Sequence, residues 1–205
     1  MLTLENIGFE TNDKIVFKNL SITLGLASAL IITGKNGCGK SSLLKIIAGI
    51  YEINHGKILW NNKDIKNFRD DFNGDLQYIG HKNFLKQDLT ILENLTFYAK
   101  LSDTEMAINS AIEFFELSHH RHEFVKNLSA GLQQRVMLAK LLACPSSIWL
   151  LDEPSSNLDQ ENKQKLKELI KIRTKDQGIV LMVSHDEEFF DLGLKLNLED
   201  YCNNF

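Results

Sequence analysis

Apolar and polar positions alternate over the first part of the chain. Leu2 to Phe9 and Phe17 to Leu24 both carry this period of two, which predicts two strands with a turn around Asn12-Asp13. Ala29-Leu30-Ile31-Ile32-Thr33 is a continuous apolar run, hence a buried strand, and Leu43 to Ala48 then has helical spacing, ending near Gly49. His55-Gly56 has turn chemistry and precedes a short strand, Lys57 to Trp60. Leu76 to Gly80 predicts another strand.

The period then changes. From Thr90 to about Leu117 the apolar positions Ile91, Leu92, Leu95, Ile108, Ala111, Ile112 and Phe115 fall at helical intervals. A helical unit inserted from about His81 to about Leu128 is the expected organisation. Beyond it lie a helix, Leu132 to Ala143, and a buried strand, Ile148 to Leu151. A charged amphipathic helix, Gln160 to Thr174, and another buried strand, Ile179 to Val183, follow. Continuous apolar strands alternating with helices predict a mainly parallel α/β sheet covered on both faces. The alternating strands at the start predict a small antiparallel β unit beside it.

Chemistry concentrates between the first buried strand and its helix. Gly34-Lys35-Asn36-Gly37-Cys38-Gly39-Lys40-Ser41-Ser42 follows the strand directly and opens the helix. A glycine loop in this position turns its backbone N–H groups inward to surround phosphates, and the helix adds the positive end of its dipole. Such a loop implies a bound nucleoside triphosphate, with Lys40 on the β- and γ-phosphates and the Ser41 hydroxyl on Mg²⁺. Ile148 to Leu151 runs into Asp152-Glu153-Pro154. A carboxylate closing a strand beside a phosphate loop is placed to hold Mg²⁺, and Glu153 to polarise the attacking water.

Three further stretches surround this pair: Leu128-Ser129-Ala130-Gly131 before a helix, Ser156-Asn157-Leu158-Asp159 after the acidic pair, and Val183-Ser184-His185-Asp186 at the end of the last buried strand. Each is weak alone. Their order around the loop resembles the ATP-binding-cassette family over nearly the whole chain. The resemblance implies ATP hydrolysis by two cassettes facing head to tail, each ATP lying between one phosphate loop and the partner's signature. It assigns Ser129 and Gly131 to the γ-phosphate across the dimer, His185 to that phosphate in cis, and Asp159 to coupling the two sites. The signature differs from Leu-Ser-Gly-Gly-Gln at Ala130 and Leu132, with Gln133 and Gln134 as possible substitutes for the amide. Thr11 stands where an adenine-stacking aromatic is usual, and Phe9 is a core candidate.

The segment Tyr78-Ile79-Gly80-His81, followed by Leu85-Lys86, Leu89-Thr90 and Glu93-Asn94-Leu95, is similar to the ATPase subunit of the haem exporter of cytochrome c maturation. His81 occupies the position of the Q-loop glutamine, which senses Mg²⁺ and the membrane partner. That resemblance implies a peripheral protein on the cytoplasmic face of the inner membrane, bound to separately encoded integral membrane subunits. Phe84, Leu85, Leu92 and Phe97 are candidates both for the groove that receives such a partner and for core. The alternatives are the ATPase of another exporter, with the same catalytic residues, and a soluble cassette acting without a transporter.

Composition narrows this further. The chain of 205 residues suits one cassette, and its net charge of −4 supplies no basic excess for nucleic acid. Cys38, Cys144 and Cys202 lack metal-ligand spacing and suit a reducing compartment. No apolar run reaches the ~18 residues of a membrane span, and the N-terminal residues carry no signal-peptide pattern. His119-His120-Arg121-His122 reads as solvated surface rather than a metal site. Asn61-Asn62-Lys63-Asp64 has the residue types of a guanine-reading motif at the wrong spacing, so it reads as a polar turn.

Overall fold

Residues 1–11, 14–80, 84–101 and 107–202 are described by the structure, a computed structural model. The alternating N-terminal segments are β1 (Leu2–Thr11) and β2 (Lys14–Leu24), paired antiparallel from Leu2 opposite Leu24 to Thr11 opposite Lys14. The turn expected at Asn12-Asp13 lies outside the described residues. With β4 (His55–Trp60) and β5 (Lys63–Asp64) they form a sheet of order β2-β1-β4-β5. Asn61 and Asn62, with φ of 51° and 66°, make the β4–β5 turn, so the polar-turn reading of this stretch holds for these two residues, whereas Lys63 and Asp64 are strand. Asparagine tolerates the left-handed region better than most residues.

His55-Gly56 is strand rather than the expected turn. Gly56 has φ +91°, and a Cβ on it would lie 2.3 Å from the Glu5 carbonyl oxygen. The β1–β4 register shifts between Glu5 and Gly8 at this point, so the glycine serves an irregularity in the ladder.

The second sheet is parallel, in the order β6-β7-β8-β3-β9. Its strands are β3 (Ser28–Thr33), β6 (Leu76–Ile79), β7 (Ile148–Asp152), β8 (Ile179–Val183) and β9 (Leu194–Asn197). Both faces are buried. Ala29, Ile31, Trp149, Leu151, Val180 and Met182 enter one core, while Leu30, Ile32, Ile148, Leu150, Ile179 and Leu181 enter the other. This is the period-two consequence of continuous apolar strands.

Helix α1 (Lys40–Ile47) packs in the second core through Leu43, Leu44, Ile46 and Ile47, beside the short α2 (Arg69–Gly74). The other core takes α3 (Ile91–Leu101), α4 (Ile108–Phe114), α5 (Ala130–Ala143) and α6 (Gln160–Lys175). The helical period from Thr90 to Leu117 thus belongs to two helices, separated by residues outside the described set. Both pack against α5. Leu85 and Leu95 are core, whereas Phe84 and Phe97 are 54% and 39% exposed. Phe9 is buried and stacks on Tyr51 at 5.7 Å, which makes it core.

Candidate nucleotide site

The parallel order carries the C-terminal ends of β3, β7 and β8 to one edge of the sheet, where crevices for ligands arise. The loop Gly34 to Gly39 leaves β3, and α1 begins at Lys40. Gly39 caps the helix with φ +101° and offers no side chain to the first turn. The orphan N–H groups of that turn are therefore available to an anion. A Cβ at Gly39 would meet Val16 Cγ1 at 2.5 Å, so β2 holds the loop from behind. Lys40 is buried, and its Nζ donates to the Gly34 and Lys35 carbonyls at 2.7 and 3.0 Å. These bonds hold the ammonium over the loop, where a charged acceptor would make the stronger partner.

Ser41 Oγ donates to Asp152 Oδ1 at 3.0 Å. An alcohol and a buried carboxylate side by side are a hard oxygen donor set, which suits Mg²⁺. Both line a cavity of about 550 Å³ with Asn36, Lys45, Tyr78 and Glu153. Tyr78 was not legible as a site residue, since its place two positions before Gly80 looks like strand pattern only. Its hydroxyl donates to Asp152, and burial followed by the Asp152 charge pushes its pKa up, so it stays a neutral donor.

Glu153 has φ +52°, a left-handed conformation unusual for glutamate, and its N–H donates to the Val183 carbonyl at 3.1 Å. The turn lifts its carboxylate off the line of β7, and strain of this kind is common where a side chain must be aimed. Glu153 Oε1 lies 4.0 Å from His185 Nε2, both partly exposed. Lys163 of α6 bonds Asp186 Oδ2 at 2.6 Å and reaches Glu188 Oε1 at 3.4 Å. Those bonds, the Asp186 one foremost, raise the Lys163 pKa and tie α6 to the turn carrying His185.

Ser129 caps α5, its hydroxyl accepting from Leu132 N at 3.3 Å. A Cβ on Gly131 would come within 3.1 Å of the Asn157 carbonyl, so glycine permits a close approach between two of the motif loops. Asp159 caps α6, accepting from Asn162 N at 2.9 Å and Asn162 Nδ2 at 2.8 Å, and these bonds hold its carboxyl below the usual range. Both glutamines weighed for the signature amide have their side-chain nitrogens engaged within the chain. Gln133 Nε2 donates to the Val125 and Leu128 carbonyls, and Gln134 Nε2 to the Pro154 carbonyl. His120 bonds Glu123 Oε1 at 2.7 Å on the surface. His81 lies outside the described residues.

One further contact had no signal in sequence. Glu199, in a 3-10 turn near the end of the described chain, accepts from Lys35 N at 2.6 Å and pairs with Lys35 Nζ at 3.1 Å.

Residues 17–156 match the family model described as ABC transporter. The chain belongs to the ABC transporter family. A cytochrome c biogenesis ATP-binding export protein CcmA from Rickettsia bellii is 41% identical over 91% of this chain and 94% of its own length. The protein of the same name from Aliivibrio fischeri is 36% identical, over 93% and 95%. Among solved structures, an ABC transporter ATP-binding protein from Pyrococcus furiosus superposes with TM-score 0.86 at 24% identity, covering 98% of this chain and 99% of the other. A bacterial ABC transporter cassette solved as a dimer gives TM-score 0.83 at 25% identity, covering 95% and 94%. As an ABC cassette this chain has the fold expected from its motifs, with a parallel sheet of five strands and an antiparallel one of four. No helix among the described residues is long and apolar enough to cross a membrane.

Proposed function

We propose that this cassette hydrolyses ATP for the haem exporter of cytochrome c biogenesis. It would work as a cassette dimer, bound peripherally to integral membrane subunits on the cytoplasmic face of the inner membrane. The observation that carries the reading is the 41% identity to a cytochrome c biogenesis protein across 94% of that protein's length. Residues 34–42 would hold the phosphates, with Lys40 Nζ, 2.7 and 3.0 Å from the Gly34 and Lys35 carbonyls, as their counter-charge. Ser41 and Asp152 hold Mg²⁺, which neutralises phosphate charge when bound. Glu153 takes charge from the attacking water, and His185, across 4.0 Å, orients toward the same phosphate. Ser129 and Gly131 serve the partner's ATP, and Asp159 sits where α6 meets that interface. Residues from about 81 to about 128 form the inserted helical unit, and His81 takes the Q-loop role there. Exposed Phe84, Phe97 and Ile50 offer apolar surface to the membrane subunits.

The test is complementation of a bacterium lacking its own cassette for cytochrome c maturation. Restored holo-cytochrome c by the wild type, and not by Glu153→Gln, supports the reading. No restoration by a protein that hydrolyses ATP and reaches the membrane would favour another exporter.

A further inference from the structure

Cys38 and Cys202 are 164 residues apart in sequence and adjacent in space. Cys202 Sγ donates to the Cys38 carbonyl at 3.4 Å, and the two thiols are themselves hydrogen-bond neighbours. The Cys38 sulfur lies beside Gly34: a Cβ there would lie 2.9 Å from it, and 3.4 Å from both Asn197 Oδ1 and Glu199 Cγ. Both cysteines line an open cavity of about 550 Å³ together with Val16, Lys35, Gly37 and Glu199, so a small oxidant has access. Glu199 already anchors the segment to the loop through Lys35.

We propose that Cys38 and Cys202 form a reversible disulfide that shuts the nucleotide site. This rests on residues 34–42 being that site. The co-reactant is a low-molecular-weight disulfide such as glutathione disulfide. The Cys38 thiolate attacks one of its sulfurs, forming a mixed disulfide and releasing one glutathione. The Cys202 thiolate then attacks the Cys38 sulfur, and the second glutathione leaves. Two protein thiols lose two electrons, and the two glutathiones leave as thiols carrying the protons. Burial, then the neighbouring Cys38, push the Cys202 thiol up. The second step is intramolecular, and the high effective concentration compensates for a small thiolate fraction.

The link acts on the loop backbone. Cys38 stands between Gly37 and Gly39, both at positive φ, and β2 blocks retreat at Gly39. Drawing the Cys38 Cβ toward Cys202 therefore rotates the peptide groups on either side, and with them the Cys38 N–H that donates to the Lys35 carbonyl at 3.3 Å, within the loop proposed to hold the phosphates. A reversible thiol pair of this type is the form in which disulfides act in a reducing compartment.

The test uses the full reduced chain in glutathione buffers of rising disulfide fraction, quenched by alkylation and mapped by peptide mass, with ATP affinity measured in parallel. The expected result is a Cys38–Cys202 linked peptide and an ATP affinity lower by about tenfold or more, restored by dithiothreitol. In Cys202→Ser the same buffers should leave glutathione on Cys38 instead. Wild type that carries only glutathione adducts, a link to Cys144, or no modification at any disulfide fraction would overturn the pair. A linked protein with unchanged ATP affinity would overturn the switch alone. Reduced protein that binds no ATP would remove the site reading on which the switch depends.

Discussion

Ser41 and Asp152, 111 residues apart, share a hydrogen bond of 3.0 Å between hydroxyl and carboxylate. It joins the first turn of α1 to the end of β7, so the phosphate loop and the acidic pair are held together directly. A direct link of this kind spares reorganisation when charge develops. Ser41→Ala should raise the Mg²⁺ needed for half-maximal ATPase by about tenfold or more. Unchanged Mg²⁺ dependence would show that the hydroxyl does not reach the metal.

Glu153→Gln should lower turnover by roughly 10²–10⁴ while ATP still binds, because an amide cannot accept charge from the attacking water. The variant should keep the fold, since the amide is isosteric with the carboxylate. Gel filtration with ATP should then show an accumulated dimer. Turnover at the wild-type rate would exclude Glu153 as the base.

Glu199 is a titratable clamp on the loop. Bonds from Lys35 hold its carboxyl below the ordinary 4.5. A depressed folded-state pKa contributes stability above the unfolded value, and that contribution disappears as pH falls through the folded one. Thermal unfolding of Glu199→Gln should therefore differ from wild type at neutral pH, and the difference should shrink on acidification below 4.5. A pH-independent difference would mean that charge is not what Glu199 contributes.

Gly56→Ala forces a Cβ toward the Glu5 and Asn6 carbonyls at a positive φ. A loss of about 1–3 kcal/mol in denaturant unfolding is expected. A neutral substitution would show that the β1–β4 irregularity relaxes freely.

Phe84 and Phe97 are exposed where Phe115 is fully buried. Phe115→Ala should cost about 3–5 kcal/mol of stability. Phe84→Ser with Phe97→Ser should leave melting nearly unchanged and reduce the stimulation of ATPase by membrane subunits. Full stimulation would move the docking surface elsewhere.

Sequence legibility followed the range of each interaction. The phosphate loop and the acidic pair were readable because neighbours in sequence carry each of them. So were Leu30 to Ile32, Leu150 and Leu181, because strands buried on both faces are apolar throughout. The helical period over Thr90 to Leu117 gave helix type, yet it could not show a division into α3 and α4, since both halves share that period. Lys63 and Asp64, in a polar turn, became an edge strand only because β4 offered a free ladder.

By itself, then, the sequence determined the type of the long periodic and continuously apolar segments, and which residues sit on the loop, the acidic pair and the three motif turns. These are contiguous chemistry or local periodicity. Tertiary structure alone decided that β9 pairs with β3, that Glu153 turns toward His185, that Tyr78 bonds Asp152, and that Glu199 and Cys202 close on the loop. Each of these joins residues whose separation in space depends on the order of strands in a sheet. That order is set by how two apolar faces are covered at once, a property of the whole chain that no single stretch encodes.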